Sequence, residues 1–261
     1  MFHTILYEKQ DTEHGPVATI TLNRPERKNA ISPEMANELL YALAHADLED
    51  HAHVVVLTGA GGHFCSGGDF GAMTSGQVVS TLPIKGDYAD LLLAMIRYPR
   101  PIVARVQGVA MGGGLGLVAA SHFAVASSDA VFSTPEIHRG LFPMMIMAVL
   151  SRTVTRRRLL DMMLLGAKIP AAKAAEWELI SEHVAPESLD ARVNELVGNL
   201  CARSPTAMKH GLEAWAKQGD LRLDEALPVL RDALYTLLGT EDAREGLMAF
   251  MEKRPPRWQS R

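Results

Sequence analysis

The stretch Gly108–Ala120, GVAMGGGLGLVAA, sets three consecutive glycines at 112–114 and a fourth at 116 in front of an apolar run. A glycine inside a helix costs about 1 kcal/mol relative to alanine, so four of them where a buried helix begins need a reason. The stretch follows directly on RPIVARVQ (100–107), which reads as a strand. The same order occurs once upstream. HVVVLTG (53–59), apolar without a break and so buried on both faces, runs into the glycine-rich GAGGHFCSGGDFGAM (59–73).

Working outward, PVATITL (16–22) is a further strand, followed by the polar loop NRPERKNA (23–30). ISPEMANELLYALAHA (31–46) opens with Ser32 as an N-cap and Pro33 at the first helical position. YADLLLAMIRYP (88–99) is helical, and HFAVAS (122–127) and AVFSTPEI (130–137) are short strands. From about Pro170 the pattern is helical throughout, with SPTAMKHGLEAWAKQ (204–218) and TEDAREGLMAFMEKR (240–254) the clearest segments. Strand–loop–helix recurs three times before helices take over, which is an α/β core with a C-terminal helical module. The expected division is a core over 1–195 and a helical region over 196–261.

The 261 residues carry a net charge of −4, 48% apolar and 21% charged residues. This is the composition of an ordinary globular protein, and it excludes nucleic acid as the main partner. The run Arg156–Arg158 reads as a solvated helix face. Two cysteines, Cys65 and Cys201, make no disulfide framework, and no signal segment, bilayer-length apolar run or metal-ligand spacing appears. A cytoplasmic protein that does not engage membranes is expected.

The glycines have a chemical reading. A helix start exposes unpaired N–H groups at the positive end of its dipole, and glycine lets a ligand approach them. Two such loops side by side can offer two donors to one oxygen, an oxyanion hole. The rival reading, a nucleotide fingerprint G-x-G-x-x-A at Gly114, Gly116 and Ala119, fails on context, because those glycines would lie inside the helix rather than before it.

Five segments in order, ATITLNRPERKNAIS, GGHFCSGGDF, PIVARVQGVAMGGGLGL, STPEIHRGLFP and EGLMAFMEKRPPRW, resemble the crotonase superfamily, the enoyl-CoA hydratase/isomerase family, over nearly the whole chain. The resemblance implies a spiral of strand–strand–helix turns with a C-terminal helical region that builds trimers, often paired into hexamers. It implies an acyl-CoA thioester as substrate, coenzyme A being part of the substrate, and no other cofactor. It makes the N–H groups of Ser66 and Gly113 the oxyanion donors and Glu136 the catalytic acid–base group. Gly67, Gly68 and Asp69 belong to the first oxyanion segment, with Asp69 bracing its loop. Arg27, Lys28 and Ala30 resemble the loop at the nucleotide end of coenzyme A, and Phe250 and Lys253 resemble residues that reach a neighbouring subunit's coenzyme A.

One departure stands out. Family hydratases carry two glutamates, and the first falls here on Gly116. Hydration divides its proton transfers between two groups, whereas moving a double bond from position 3 to 2 needs one base. The sequence therefore leans to isomerisation. The alternatives are a hydratase whose second group comes from elsewhere, Asp87 or Asp90 for instance, and a low-turnover acyl-CoA-binding protein. The segment after Pro-Glu, GLFPMM, lacks the aspartate a dehalogenase needs. His63 and His138 read as loop histidines. Cys65 has no basic partner and so no nucleophilic role. The methionines of GLFPMMIMAVL (140–150) are core or an adaptable wall for an acyl chain.

Overall fold

The computed structural model describes residues 2–74 and 80–259. Among these residues, nine strands form two sheets. The larger holds β1 (Ile5–Thr12), β2 (Gly15–Leu22), β3 (Val54–Gly59), β4 (Ile102–Val106), β6 (Phe123–Ser127) and β9 (Glu182–Val184), in that spatial order. Only the β1–β2 pair is antiparallel; the others are parallel. The smaller sheet pairs β5 (Val109–Met111) with β7 (Val131–Ser133) and β7 with β8 (Ile169–Pro170). Single bridges extend it backwards along the chain, Cys65 to Ala110 and Ile31 to Gly68.

Each turn of the chain thus gives one segment to the large sheet, one to the small, and then a helix. β2 is followed by Ile31 and α1 (Pro33–Leu48). β3 is followed by Cys65–Gly68, α2 (Phe70–Thr74) and α3 (Tyr88–Ile96). β4 is followed by β5 and α4 (Gly113–Ala120). β6 and β7 lead into a 3₁₀ turn over Pro135–Arg139, then α5 (Met144–Leu150), α6 (Arg156–Leu165) and α7 (Ala171–Glu176). This is the expected spiral of strand–strand–helix turns.

The core explains why β3 is apolar without a break. Val55 and Leu57 face the main cluster with Leu39, Leu43, Leu91 and Leu115. Val54 and Val56 face the other side, where they pack with Val103 and Val125 against Leu189, Val193 and Val197 of α8 (Leu189–Cys201). The expected division at 195/196 therefore cuts through a helix that covers the large sheet. The chain leaves the core only after Cys201.

Beyond it run α9 (Pro205–Gln218), α10 (Leu223–Leu238) and α11 (Glu241–Glu252). Ser204 caps α9, accepting the Ala207 N–H, and its hydroxyl donates to the buried Asp242 at 2.7 Å, tying α9 to α11. β9 and the eight-residue β1 are among the strands that depart from the sequence reading. β9 lies in the part expected to be all helical, and β1 went unassigned. Among the described residues, no helix is long and apolar enough to cross a membrane.

Candidate active site

The site lies where the two glycine loops meet. Cys65 pairs with the β5 segment, its N–H donating to Val109 O and its carbonyl accepting from Met111 N–H, both at 2.9 Å. This ladder brings Gly67 beside the start of α4. A Cβ at Gly67 would lie 3.7 Å from the Gly113 nitrogen. Gly112 adopts φ +48° and ψ −123°, a conformation that side-chain-bearing residues avoid. Its N–H is spent on Ser133 O. Gly113 is the first residue of α4, and its N–H has no acceptor among the described residues.

Across from Gly112 stands Glu136, carried on the 3₁₀ turn that follows β7. A Cβ at Gly112 would lie 2.7 Å from Glu136 Oε1, so glycine there makes room for this carboxylate. Glu136 is half-buried, and its Oε2 is buried with no hydrogen-bond partner. Burial pushes its pKa above the ordinary carboxylate value, against smaller lowering effects from its own backbone N–H and from Arg139. A carboxylate with an unpaired buried oxygen and a raised pKa, next to a helix start, is equipped to take up and give back a proton.

The expectation for Ser66 needs correction. Its N–H donates to Lys28 O at 2.9 Å and its hydroxyl to Arg27 O at 3.1 Å, so neither is offered to a ligand. Gly67 N–H points to Cys65 Sγ, and Asp69 N–H donates to Ile31 O. Gly68 N–H, between them, has no acceptor among the described residues. Gly68 and Gly113 thus each keep an unspent backbone donor, one on each loop, among the described residues.

Asp69 braces the loop. It accepts from Ala72 N–H and pairs with Arg24 Nη2 at 2.9 Å. Burial raises its carboxyl, but the Ala72 amide and Arg24 outweigh that and hold it below the ordinary value. Arg27 and Lys28 are exposed beside Ala30 on the loop that clasps Ser66, and Lys28 takes a left-handed backbone conformation (φ +48°). Asn29, which the sequence reading passed over, is fully buried. It ties this loop to Ala60 O and His63 O through its amide and accepts Arg24 N–H. Phe250, on α11, is 84% exposed, and Lys253 ends that helix, exposed as well.

The remaining candidates separate cleanly. Asp87 and Asp90 form a capping box at the start of α3, and each carboxylate is engaged there. Burial pushes the Cys65 thiol up to about 12, which leaves it unreactive. His138 packs against Gly166, and His63 against Gly108. The methionine-rich run divides, with Ile146, Val149 and Leu150 in the core and Met144 and Met145 exposed. A second residue the sequence reading missed is Tyr88, at the first position of α3. Its hydroxyl donates to Gly113 O at 2.5 Å. Nothing local marks it, since it reads as an ordinary helix-start aromatic.

Residues 12–261 match the family model described as enoyl-CoA hydratase/isomerase. The chain is 36% identical to a probable enoyl-CoA hydratase of Rhodobacter capsulatus, covering 100% of this chain and 99% of that protein. It is 32% identical to the enoyl-CoA hydratase EchA19 of Mycobacterium tuberculosis, covering 95% and 94%. The crystal structure of an enoyl-CoA hydratase/isomerase from Mycobacterium paratuberculosis superposes with a TM-score of 0.87 at 34% identity, over the full length of both chains.

Proposed function

This chain belongs to the enoyl-CoA hydratase/isomerase family, and we propose that it shifts the double bond of 3-enoyl thioesters to the 2 position, with Glu136 as its single acid–base group. The Glu136 carboxylate takes a proton from C2 of the thioester. The C–H electron pair moves toward the carbonyl, and charge develops on the thioester oxygen. The N–H groups of Gly68 and Gly113 receive that oxygen, each worth about 3 kcal/mol at the transition state. The same Glu136 returns the proton to C4, and the double bond is left between C2 and C3. A raised pKa suits both halves of this transfer.

The observation that carries the reading is Gly116. Hydration asks for a second acid–base group to handle water. Gly116 has no side chain, and Asp87 and Asp90 are committed to the cap of α3. Arg27 and Lys28 are exposed and positively charged, which suits the phosphates of coenzyme A. The apolar residues exposed on α10 and α11, among them Leu227, Tyr235 and Phe250, support assembly into trimers or pairs of trimers.

The test is a comparison of 3-enoyl and 2-enoyl thioesters of several chain lengths. Isomerisation should exceed hydration, and Glu136→Gln should remove both. Hydration by the unmodified protein at ordinary enzyme turnover, about 10 s⁻¹, would refute the single-base reading.

A further inference from the structure

A Cβ placed on Gly116 would overlap the Tyr88 hydroxyl and come within 2.5 Å of Ile146 Cγ2, closer than real contacts allow. Gly116 lies three residues after Gly113 on α4, so the two share a helix face. The space a side chain at 116 would need is therefore filled, from α3 by the end of Tyr88 and from α5 by Ile146. The filling is built on both sides. The Tyr88 hydroxyl donates to Gly113 O at 2.5 Å, and its ring would be 3.4 Å from a Cβ on Gly113, an ordinary contact. Ile146 is 3% exposed and cannot swing away. Gly116 is thus not merely a lost carboxylate but one half of a fitted pair.

We infer that Tyr88 is a specificity-determining residue: its ring and hydroxyl, with Ile146, close the place beside the thioester where a second acid–base side chain and its water would stand. Burial, with Cys65 and Glu136 nearby, holds the phenol well above its ordinary pKa, so it stays neutral and does not replace the missing carboxylate as a base. With its proton directed to Gly113 O, the phenol oxygen faces the site only as an acceptor. Water near the β-carbon then has no group to activate it, and the intermediate is left to reprotonate from Glu136. The consequence for reaction choice rests on reading Glu136 as the base. The spatial exclusion does not.

Two measurements keep these apart. The first is a thermal-stability cycle over Gly116→Ala, Gly116→Glu, Tyr88→Ala and the double variants. Forcing a side chain into the filled space should lower Tm by roughly 3–10 °C, and the loss should shrink by at least about half in the Tyr88→Ala background. Equal losses in both backgrounds, or a Gly116→Ala protein as stable as its parent, would overturn the exclusion whatever the reaction is. Gly116→Ala keeps the cycle readable where Gly116→Glu does not fold. The second is the ratio of 2-enoyl hydration to 3-enoyl isomerisation. It should rise at least about tenfold in Tyr88→Ala/Gly116→Glu relative to the parent, short of the roughly 10²–10⁴-fold that a fully positioned acid–base group supplies. An unchanged ratio in a folded double variant, with the stability coupling intact, would overturn the specificity role while leaving the exclusion standing. Loss of isomerisation by Glu136→Gln, run alongside, reports separately on the base.

Discussion

Arg24 reaches from the loop after β2 to Asp69 on the loop after β3, Nη2 to Oδ2 at 2.9 Å, with both side chains largely shielded from water. Its other terminal nitrogen donates to Ala30 O at 2.7 Å. One guanidinium therefore locks the loop of Arg27 and Lys28 to the loop of Gly68. Asp69 is the neighbour of Gly68, so the pair fixes where that N–H points.

Asp69→Asn should cost about 1–3 kcal/mol, because it leaves a shielded guanidinium without its counter-charge. Turnover should fall more than thioester affinity does, about tenfold. The pH dependence has a definite sign. The folded carboxyl sits below its unfolded value, so its stabilisation is complete above about pH 4 and is lost as pH falls through the folded value. The stability gap between parent and variant, read from melts, should be full at neutral pH and close in acid. A gap that widens in acid would mean the pair does not brace the loops.

The backbone donors separate by substitution. Ser66→Ala removes only the hydroxyl bond to Arg27 O and should change turnover less than about threefold. Gly68→Pro deletes an N–H that the fold does not use, and should lower turnover about 10²–10³-fold with the melting profile retained. If Ser66→Ala proves as damaging as Gly68→Pro, the donor assignment is wrong.

The difference between Ser66 and Gly68 shows where sequence reading stops. The motif CSGGD locates the loop, because glycine content and a preceding buried strand are local signals. Which of its N–H groups remains free depends on Ile31 and Lys28, more than thirty residues away, which take up those of Asp69 and Ser66. The Ser32–Pro33 helix start was legible for the opposite reason: the Ser32 hydroxyl accepts from Met35 N–H within its own turn. β9 has three residues and exists only because β6 offers an edge. Tyr88 went unread because its partner, Gly113, lies twenty-five positions on and makes contact through a backbone carbonyl. The boundary set at 195 missed α8, whose apolar stripe packs on strands from the first half of the chain.

The proposed assembly rests on the exposed apolar residues of α10 and α11. Phe250, Met251 and Leu247 are each more than half exposed on α11, more apolar surface on one short helix than a soluble monomer usually shows. Sedimentation at micromolar concentration should give three or six times the 28.4 kDa chain mass. Phe250→Glu with Met251→Glu should shift it toward single chains and weaken thioester binding, as Phe250 and Lys253 would no longer reach a neighbour. A fully active single chain would refute both points.

Glu136 ties activity and stability to pH in opposite directions. Its folded pKa is raised by burial, and the proposed reaction begins from the carboxylate. The acid limb of kcat/KM, which reports the free enzyme, should therefore lie above the ordinary carboxylate value rather than at it. Glu136→Gln should lower turnover by at least about 10²-fold. Stability should move the other way. A carboxyl whose folded pKa exceeds its unfolded pKa costs stability fully above the folded value, and that cost fades as pH falls through the folded value and is gone below the unfolded one. The glutamine variant should thus melt higher than the parent at neutral pH, and the advantage should vanish in acid. A variant less stable at neutral pH would mean that favourable contacts hold the carboxylate, and Glu136 would then be a structural anchor rather than a base kept ready in an apolar site.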